Sequence, residues 1–100
     1  MVDRIVKLEN FFEQVKKVIK FCDIEKNNSY SKWELSQLDY IQFEMHELLN
    51  NSTKDNVYFR FGRKQRMLES TYFITDSLCN LGATDLGKEI IKLQEIYDKI

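Results

Sequence analysis

The residues that could carry catalysis or metal binding are few in this chain of 100 residues. His46 is the single histidine, and it stands between Met45 and Glu47. A zinc site needs several clustered ligands and a hydrolytic site needs a base beside a nucleophile, so one histidine completes neither. The sequence also lacks a glycine-rich phosphate loop and a GxSxG motif. It therefore predicts a protein that is not an enzyme and that uses no cofactor and no metal ion.

The two cysteines, Cys22 and Cys79, lie far apart, with no CxxC spacing and no histidine close by in sequence. Both fall on apolar stripes of predicted helices, where a thiol behaves as a small hydrophobic side chain. We expect both thiols to be buried, reduced and slow to react. The sequence shows no apolar leader with a cleavage site and no apolar run of membrane-spanning length. These features together indicate a cytoplasmic protein with no membrane partner.

A basic cluster is the first candidate binding site. It consists of Arg60, Arg63, Lys64 and Arg66, with aromatic side chains before it. This composition is compatible with binding of nucleic acid or of an acidic partner. On a helical wheel, however, the four charges scatter around the axis, and a net charge of −1 produces no global positive field. We prefer the interpretation in which these side chains are solvated and pair with the acidic second helix.

The most informative pattern is a second stripe on the second predicted helix. At about 100° per residue, aromatic and acidic side chains share one face, opposite the aliphatic core stripe. We call this candidate partner-binding site the aromatic–acidic face; it contains Trp33, Tyr40, Phe43, Glu44 and Glu47. Two interpretations stay open. Either another helix covers this face and it belongs to the core, or a partner protein binds it.

Two long amphipathic segments begin the chain. The first predicted helix runs from residue 3 to about residue 25. Its stripe contains Ile5, Leu8, Phe12, Val15, Ile19 and Cys22, and Phe11 and Val18 widen it. The second predicted helix starts at Lys32, because Ser31 and Glu34 have the spacing of a capping box. Its core stripe contains Leu35, Leu38, Ile41, Met45, Leu48 and Leu49.

The third segment permits two interpretations, since residues 57–61 are rich in strand-forming side chains. We prefer a helix, because Ser52 and Asp55 offer a second capping-box spacing and an apolar stripe continues through Gly62. That stripe contains Val57, Phe61, Leu68, Tyr72, Thr75 and Cys79, and a neighbouring stripe contains Met67, Thr71, Ile74 and Leu78. So broad an apolar arc predicts a central helix.

A last segment completes the predicted fold. Gly82 is placed to end one helix and Thr84 to cap the next. The stripe of this helix contains Leu86, Ile90, Leu93, Tyr97 and Ile100. The chain has no proline, and short connections force neighbouring helices to pack side by side. The sequence predicts an all-α, single-domain antiparallel helical bundle of about four helices over residues 1–100.

Surface binding is the predicted function, because no catalytic constellation is present. The expectation is a small protein-binding module, and in its most specific form a neutralising inhibitor of the immunity or antitoxin type. Such an inhibitor would occlude a protein partner that presents a basic surface. Two alternatives stay open: a nucleic-acid-associated regulatory protein that uses the basic 60–66 segment, and a self-associating structural protein such as a homodimer.

Overall fold

A computed structural model of the chain describes residues 2–28, 31–53, 57, 64–75, 81 and 84–100. This described part contains the helices α1 (Val2–Lys26), α2 (Lys32–Asn51), α3 (Glu69–Thr75) and α4 (Asp85–Asp98). It contains no strand. Helix α1 packs along both α2 and α4, while α3 lies against α2 and α4. The all-α bundle predicted from the sequence is confirmed.

The buried stripe of α1 holds the centre of the bundle together. It consists of Leu8, Phe11, Val15, Val18 and Cys22, each at most 2% exposed. The helical pattern predicts Phe11 and Val18 at the edge of the stripe, whereas the structure buries both completely and leaves Phe12 and Ile19 partly buried. The reason is that α1 packs against two helices, so the most buried line runs between the two contact surfaces.

Helix α2 begins and ends close to the residues that the sequence predicts. The Ser31 hydroxyl oxygen accepts a hydrogen bond from the backbone N–H of Glu34 at 3.3 Å, which satisfies one of the free donors of the first turn. The Ser52 N–H donates to the carbonyl of Leu48 at 3.2 Å at the other end. In the aliphatic stripe, Leu38, Ile41 and Met45 are fully buried and Leu48 is 5% exposed, while Leu35 and Leu49 are partly buried.

The third predicted helix is wrong over part of its length. Residues 64–68 are not helical, and neither is Val57, so no continuous helix runs from Val57 to Thr75. The structure also exposes Tyr72 and Thr75, which the sequence analysis placed on the buried stripe. The strand alternative cannot be compared beyond Val57, because residues 58–61 lie outside the described residues. The same is true of Gly62 and Cys79.

Long-range hydrogen bonds explain why the chain is not helical before Glu69. In a helix, each backbone N–H donates to the carbonyl four residues earlier. Here the N–H of Gln65 donates to the Tyr97 hydroxyl at 2.8 Å, and the N–H of Leu68 donates to Oε1 of Gln94 at 2.9 Å. Side chains of α4 thus replace the helical acceptors, and residues 64–68 run as an irregular segment over α4.

Helix α4 agrees with the prediction. The Thr84 hydroxyl oxygen caps it by accepting from the N–H of Gly87 at 3.2 Å. The buried stripe contains Leu86, Ile90, Leu93 and Tyr97, and Ile100 is partly buried. Gly82 lies outside the described residues.

A buried carboxylate fixes the position of α4 against α1. Glu89 is only 7% exposed, and Nε2 of Gln14 donates to its Oε2 at 2.8 Å and to its carbonyl at 2.9 Å. Lys17 and Lys92 each lie 3.6 Å from the same carboxylate. Burial alone would raise the pKa of Glu89, but the Gln14 hydrogen bond and the two ammonium groups outweigh it and hold the pKa below its ordinary value.

Candidate functional site

The aromatic–acidic face of α2 is only partly covered by the rest of the molecule. Trp33 is 50% exposed and Phe43 is 56% exposed, although both are large apolar side chains. Tyr40, which lies between them on the same face, is partly buried. The face is therefore neither wholly core nor wholly free: α3 packs against one edge of it and leaves the remainder at the surface.

Tyr40 joins this face to α3. Its ring packs edge-on against Phe73, with the ring centroids 5.2 Å apart, and lies 6.1 Å from the ring of Phe43. Its hydroxyl donates a hydrogen bond to the carboxylate of Glu69. The neighbouring Tyr72 is 55% exposed. The aromatic surface that the sequence places on α2 thus continues onto α3.

Glu44 has a structural task at the start of α3. Its carboxylate accepts hydrogen bonds from the backbone N–H of Glu69 at 3.0 Å and of Ser70 at 2.9 Å, and also from the Ser70 hydroxyl. The first N–H groups of a helix have no partner within the helix and carry partial positive charge, so a carboxylate is favourable there. No local pattern in the sequence indicates this role of Glu44, because capping residues normally precede their helix directly.

Glu47 lies one turn after Phe43 and is partly buried. Its backbone carbonyl accepts from the Asn51 side chain at 2.9 Å. Within the part of the chain that the structure describes, its carboxylate forms no hydrogen bond and no ion pair. The charge of Glu47 is therefore available to a ligand or a partner.

A pocket of about 210 Å³ opens beside Glu47, between α2, the 64–68 segment and the last turn of α4. Its walls include Glu47, Leu48, Arg66, Leu68, Tyr72 and Tyr97. We call it the tyrosine pocket. It is smaller than the sites that hold drug-sized ligands, which occupy roughly 300–1,000 Å³. The sequence contains no signal for this pocket, because Tyr72 and Tyr97 belong to separate helices and each falls on a predicted apolar stripe.

Tyr97 forms a buried part of the pocket wall. Its ring is 1% exposed and lies 6.2 Å from that of Phe11. Burial raises the pKa of Tyr97 above its ordinary value, so the hydroxyl stays protonated at neutral pH. The Lys64 ammonium lies 5.6 Å from the ring centroid and donates to the Asp98 carbonyl at 2.8 Å, at the end of α4.

No protein-family model, curated protein or solved structure matches this chain.

The basic cluster is only partly described. Lys64 is bound to the end of α4, and Arg66 is exposed at the tyrosine pocket. Arg60 and Arg63 lie outside the described residues. Among the residues that are described, no ion pair joins Arg66 to α2, and Asp39 of α2 pairs instead with Lys26 of α1 at 2.7 Å.

The described cysteine and histidine, Cys22 and His46, do not form a catalytic or metal-binding site with other described residues. Cys22 is fully buried, and burial raises the pKa of its thiol to about 12, so the reactive thiolate is not populated at neutral pH. Cys79 lies outside the described residues, and His46 is exposed. In the described ranges, no group of three His, Cys, Asp or Glu side chains has the geometry to hold a metal ion. No helix there is long and apolar enough to cross a membrane.

Proposed function

We propose that this protein is a protein-binding module and that the aromatic–acidic face binds its partner. The observation that supports this most strongly is the exposure of Trp33 and Phe43, at 50% and 56%. Leaving such side chains in water forgoes about 25 cal/mol for each Å² of apolar area that could be buried. Tryptophan and tyrosine are also enriched among the residues that dominate binding energy at protein interfaces.

The charge beside these aromatic side chains favours a partner with a basic surface. Glu47 contributes a carboxylate without a counterion in the described part of the chain. Complementary charge at the rim of an interface speeds association and selects the partner, while the buried aromatic centre provides affinity. The face extends from Trp33 to Glu47, over roughly 21 Å of helix. A partner that buries a standard interface of about 800 Å² on this protein is large enough to cover a face of that length.

The most specific form of this proposal is a neutralising inhibitor of the immunity or antitoxin type. A protein that attacks nucleic acid must present positive charge to phosphate groups. An acidic and aromatic surface on a small rigid domain complements such a site and would occlude it.

Affinity capture from the native host tests the binding function. Wild-type protein is compared with the double variant Trp33→Ala/Phe43→Ala. The matched control is Ile24→Ala/Ile91→Ala, which truncates apolar side chains that are 48% and 40% exposed on other helices. We expect the wild type and the control to retain one partner, and the double variant to bind it at least about thirtyfold more weakly. Equal capture by all three proteins would contradict the proposal.

An activity assay of the captured partner then tests the inhibitor form. Stoichiometric inhibition by the wild type and none by the double variant is the expected result. A partner that binds but stays fully active would leave the binding function standing and overturn the inhibitor form.

Two measurements decide the alternatives. Nucleic-acid binding through Arg66 and its neighbours would weaken steeply with salt, whereas an interface centred on aromatic side chains would change little. A concentration-dependent mass in solution that disappears in Trp33→Ala/Phe43→Ala would assign the face to a homodimer.

A further inference from the structure

We propose that the tyrosine pocket receives the cationic side chain of a lysine or an arginine that projects from the partner. This inference rests on the proposed function, because the pocket and the aromatic–acidic face share Glu44 and Glu47. A partner that covers Phe43 would therefore reach the pocket opening, where Tyr72 is exposed.

The charges around the pocket favour a cation. Among the described residues that line it, Glu44, Glu47 and Glu69 carry carboxylates and Arg66 carries a guanidinium. Glu69 already accepts a hydrogen bond from Tyr40, whereas the carboxylate of Glu47 forms no hydrogen bond or ion pair with a described residue. The hydrogen bonds to Glu44 come from neutral donors, two backbone N–H groups and a hydroxyl, which leave its negative charge in place. An anionic ligand in the pocket would lie close to these carboxylates, and like charges repel each other.

The walls of the pocket match the two parts of a lysine or arginine side chain. Leu48 and Leu68 provide an apolar surface for the methylene groups, which are commonly buried while the charged end stays near polar groups. Tyr72 offers an exposed aromatic ring to the charged end, and a cation within about 6 Å of a ring centroid is attracted to it. The contact between Lys64 and the Tyr97 ring, at 5.6 Å, shows the same type of interaction within this chain.

The size of the pocket favours a side chain over a free metabolite. Its volume of about 210 Å³ is below the usual range for small-molecule sites, roughly 300–1,000 Å³. No group of metal-ligating side chains occurs in the described residues, so the carboxylates do not form a metal site there. An organic cation presented by a protein is the occupant that satisfies both size and charge.

A titration of the full chain with side-chain analogues tests the inference without any partner. The probes are N-acetyl-arginine methylamide and N-acetyl-lysine methylamide, and the control is N-acetyl-citrulline methylamide, which resembles the arginine probe but is neutral. We expect both cations to shift the NMR signals of Glu47, Arg66 and Tyr72. The neutral analogue should bind at least about fivefold more weakly than the arginine probe. Equal binding of citrulline, or an absence of shifts at these residues, would overturn the proposal.

Variants then locate the binding to the pocket. Glu47→Gln should weaken the arginine probe about fivefold, while Glu95→Gln, which removes an exposed carboxylate from α4, should leave it unchanged. Arg66→Gln should strengthen binding, because it removes a like charge. If Glu47→Gln and Glu95→Gln have equal effects, the pocket is not the site. Thermal melts of each variant establish that the fold is retained.

The two proposals fail separately. If the probes bind in a Glu47-dependent way but no partner depends on Trp33 and Phe43, the assignment of the pocket is supported and the proposed binding function is contradicted. If a partner depends on those aromatic residues but the probes do not bind, the function stands and the assignment of the pocket falls.

Discussion

Tyr40 and Phe43 lie three residues apart on one face of α2, but their surroundings differ. The helical pattern alone does not distinguish them, because it assigns both to the same face, which is either core or a partner surface. The structure separates them, because the Tyr40 ring packs against Phe73 and its hydroxyl bonds to Glu69, whereas Phe43 is mostly exposed.

We therefore expect Phe43→Ala to lower the free energy of unfolding by about 0.5 kcal/mol or less, as surface substitutions do. Tyr40→Ala should lower it by about 1–3 kcal/mol, through the loss of its ring packing and of its hydrogen bond to Glu69. Urea unfolding of the isolated proteins measures both changes. Tyr40→Phe is the control that removes only the hydroxyl. Equal losses for the two alanine variants would show that α3 does not dock on Tyr40.

Glu89 makes the stability of the protein depend on pH. Its pKa is lowered in the folded state, so its contribution is fully present above the ordinary glutamate pKa of about 4.3 and is lost as pH falls through the lowered value. We expect the free energy of unfolding to decrease from pH 6 to pH 3. Glu89→Gln should be less stable at pH 6 and show a shallower decrease. Glu95→Gln, an exposed control, should follow the wild type; identical pH profiles for Glu89→Gln and wild type would contradict this account.

At the scale of elements, Glu44 connects α2 to the start of α3, and no pattern in the sequence near α3 indicates this contact. Glu44→Ala removes the acceptor of the first N–H groups of α3, and a lost helix cap costs about 1–2 kcal/mol. We expect this loss in urea unfolding, together with faster hydrogen exchange in α3. Glu47→Ala, one turn later on α2, is the matched control and should cost much less. Similar losses for the two variants would mean that the cap contributes nothing.

The same element shows what the sequence could and could not predict. Helices α2 and α4 were predicted to within a few residues because Ser31 and Thr84 cap them locally and their apolar stripes are regular. Helix α3 was misplaced because its start depends on Glu44, which comes 25 residues earlier. No local pattern records such a contact.

The candidate site divides in the same way. A helical wheel shows that Trp33 and Phe43 share a face, but it does not show which helix covers that face. Likewise, Tyr97 was correctly assigned to the core stripe of α4, yet its position in the wall of a pocket depends on how residues 64–68 cross it. Composition and periodicity predict the helices, and only the packing of those helices creates the pocket.

For the whole molecule, the packing arrangement predicts unequal local stability. Helix α1 contacts α2 and α4 along much of its length, whereas α3 has only seven described residues and packs less extensively. Native-state hydrogen exchange should therefore be slowest in α1 and fastest in α3 among the described helices. Exchange in α3 as slow as in α1 would show that the bundle opens only as one unit.

The hydrogen bonds that fix residues 64–70 also have a kinetic consequence. The contacts Gln65–Tyr97, Leu68–Gln94 and Glu69–Glu44 join residues 32, 26 and 25 positions apart. A contact that closes a long loop contributes little net free energy until the helices that it connects are already in place, because closing the loop costs conformational entropy. We expect these bonds to form after the folding transition state, so Glu44→Ala should accelerate unfolding while hardly slowing refolding. The tyrosine pocket would then assemble after the helices that surround it and open before they unfold.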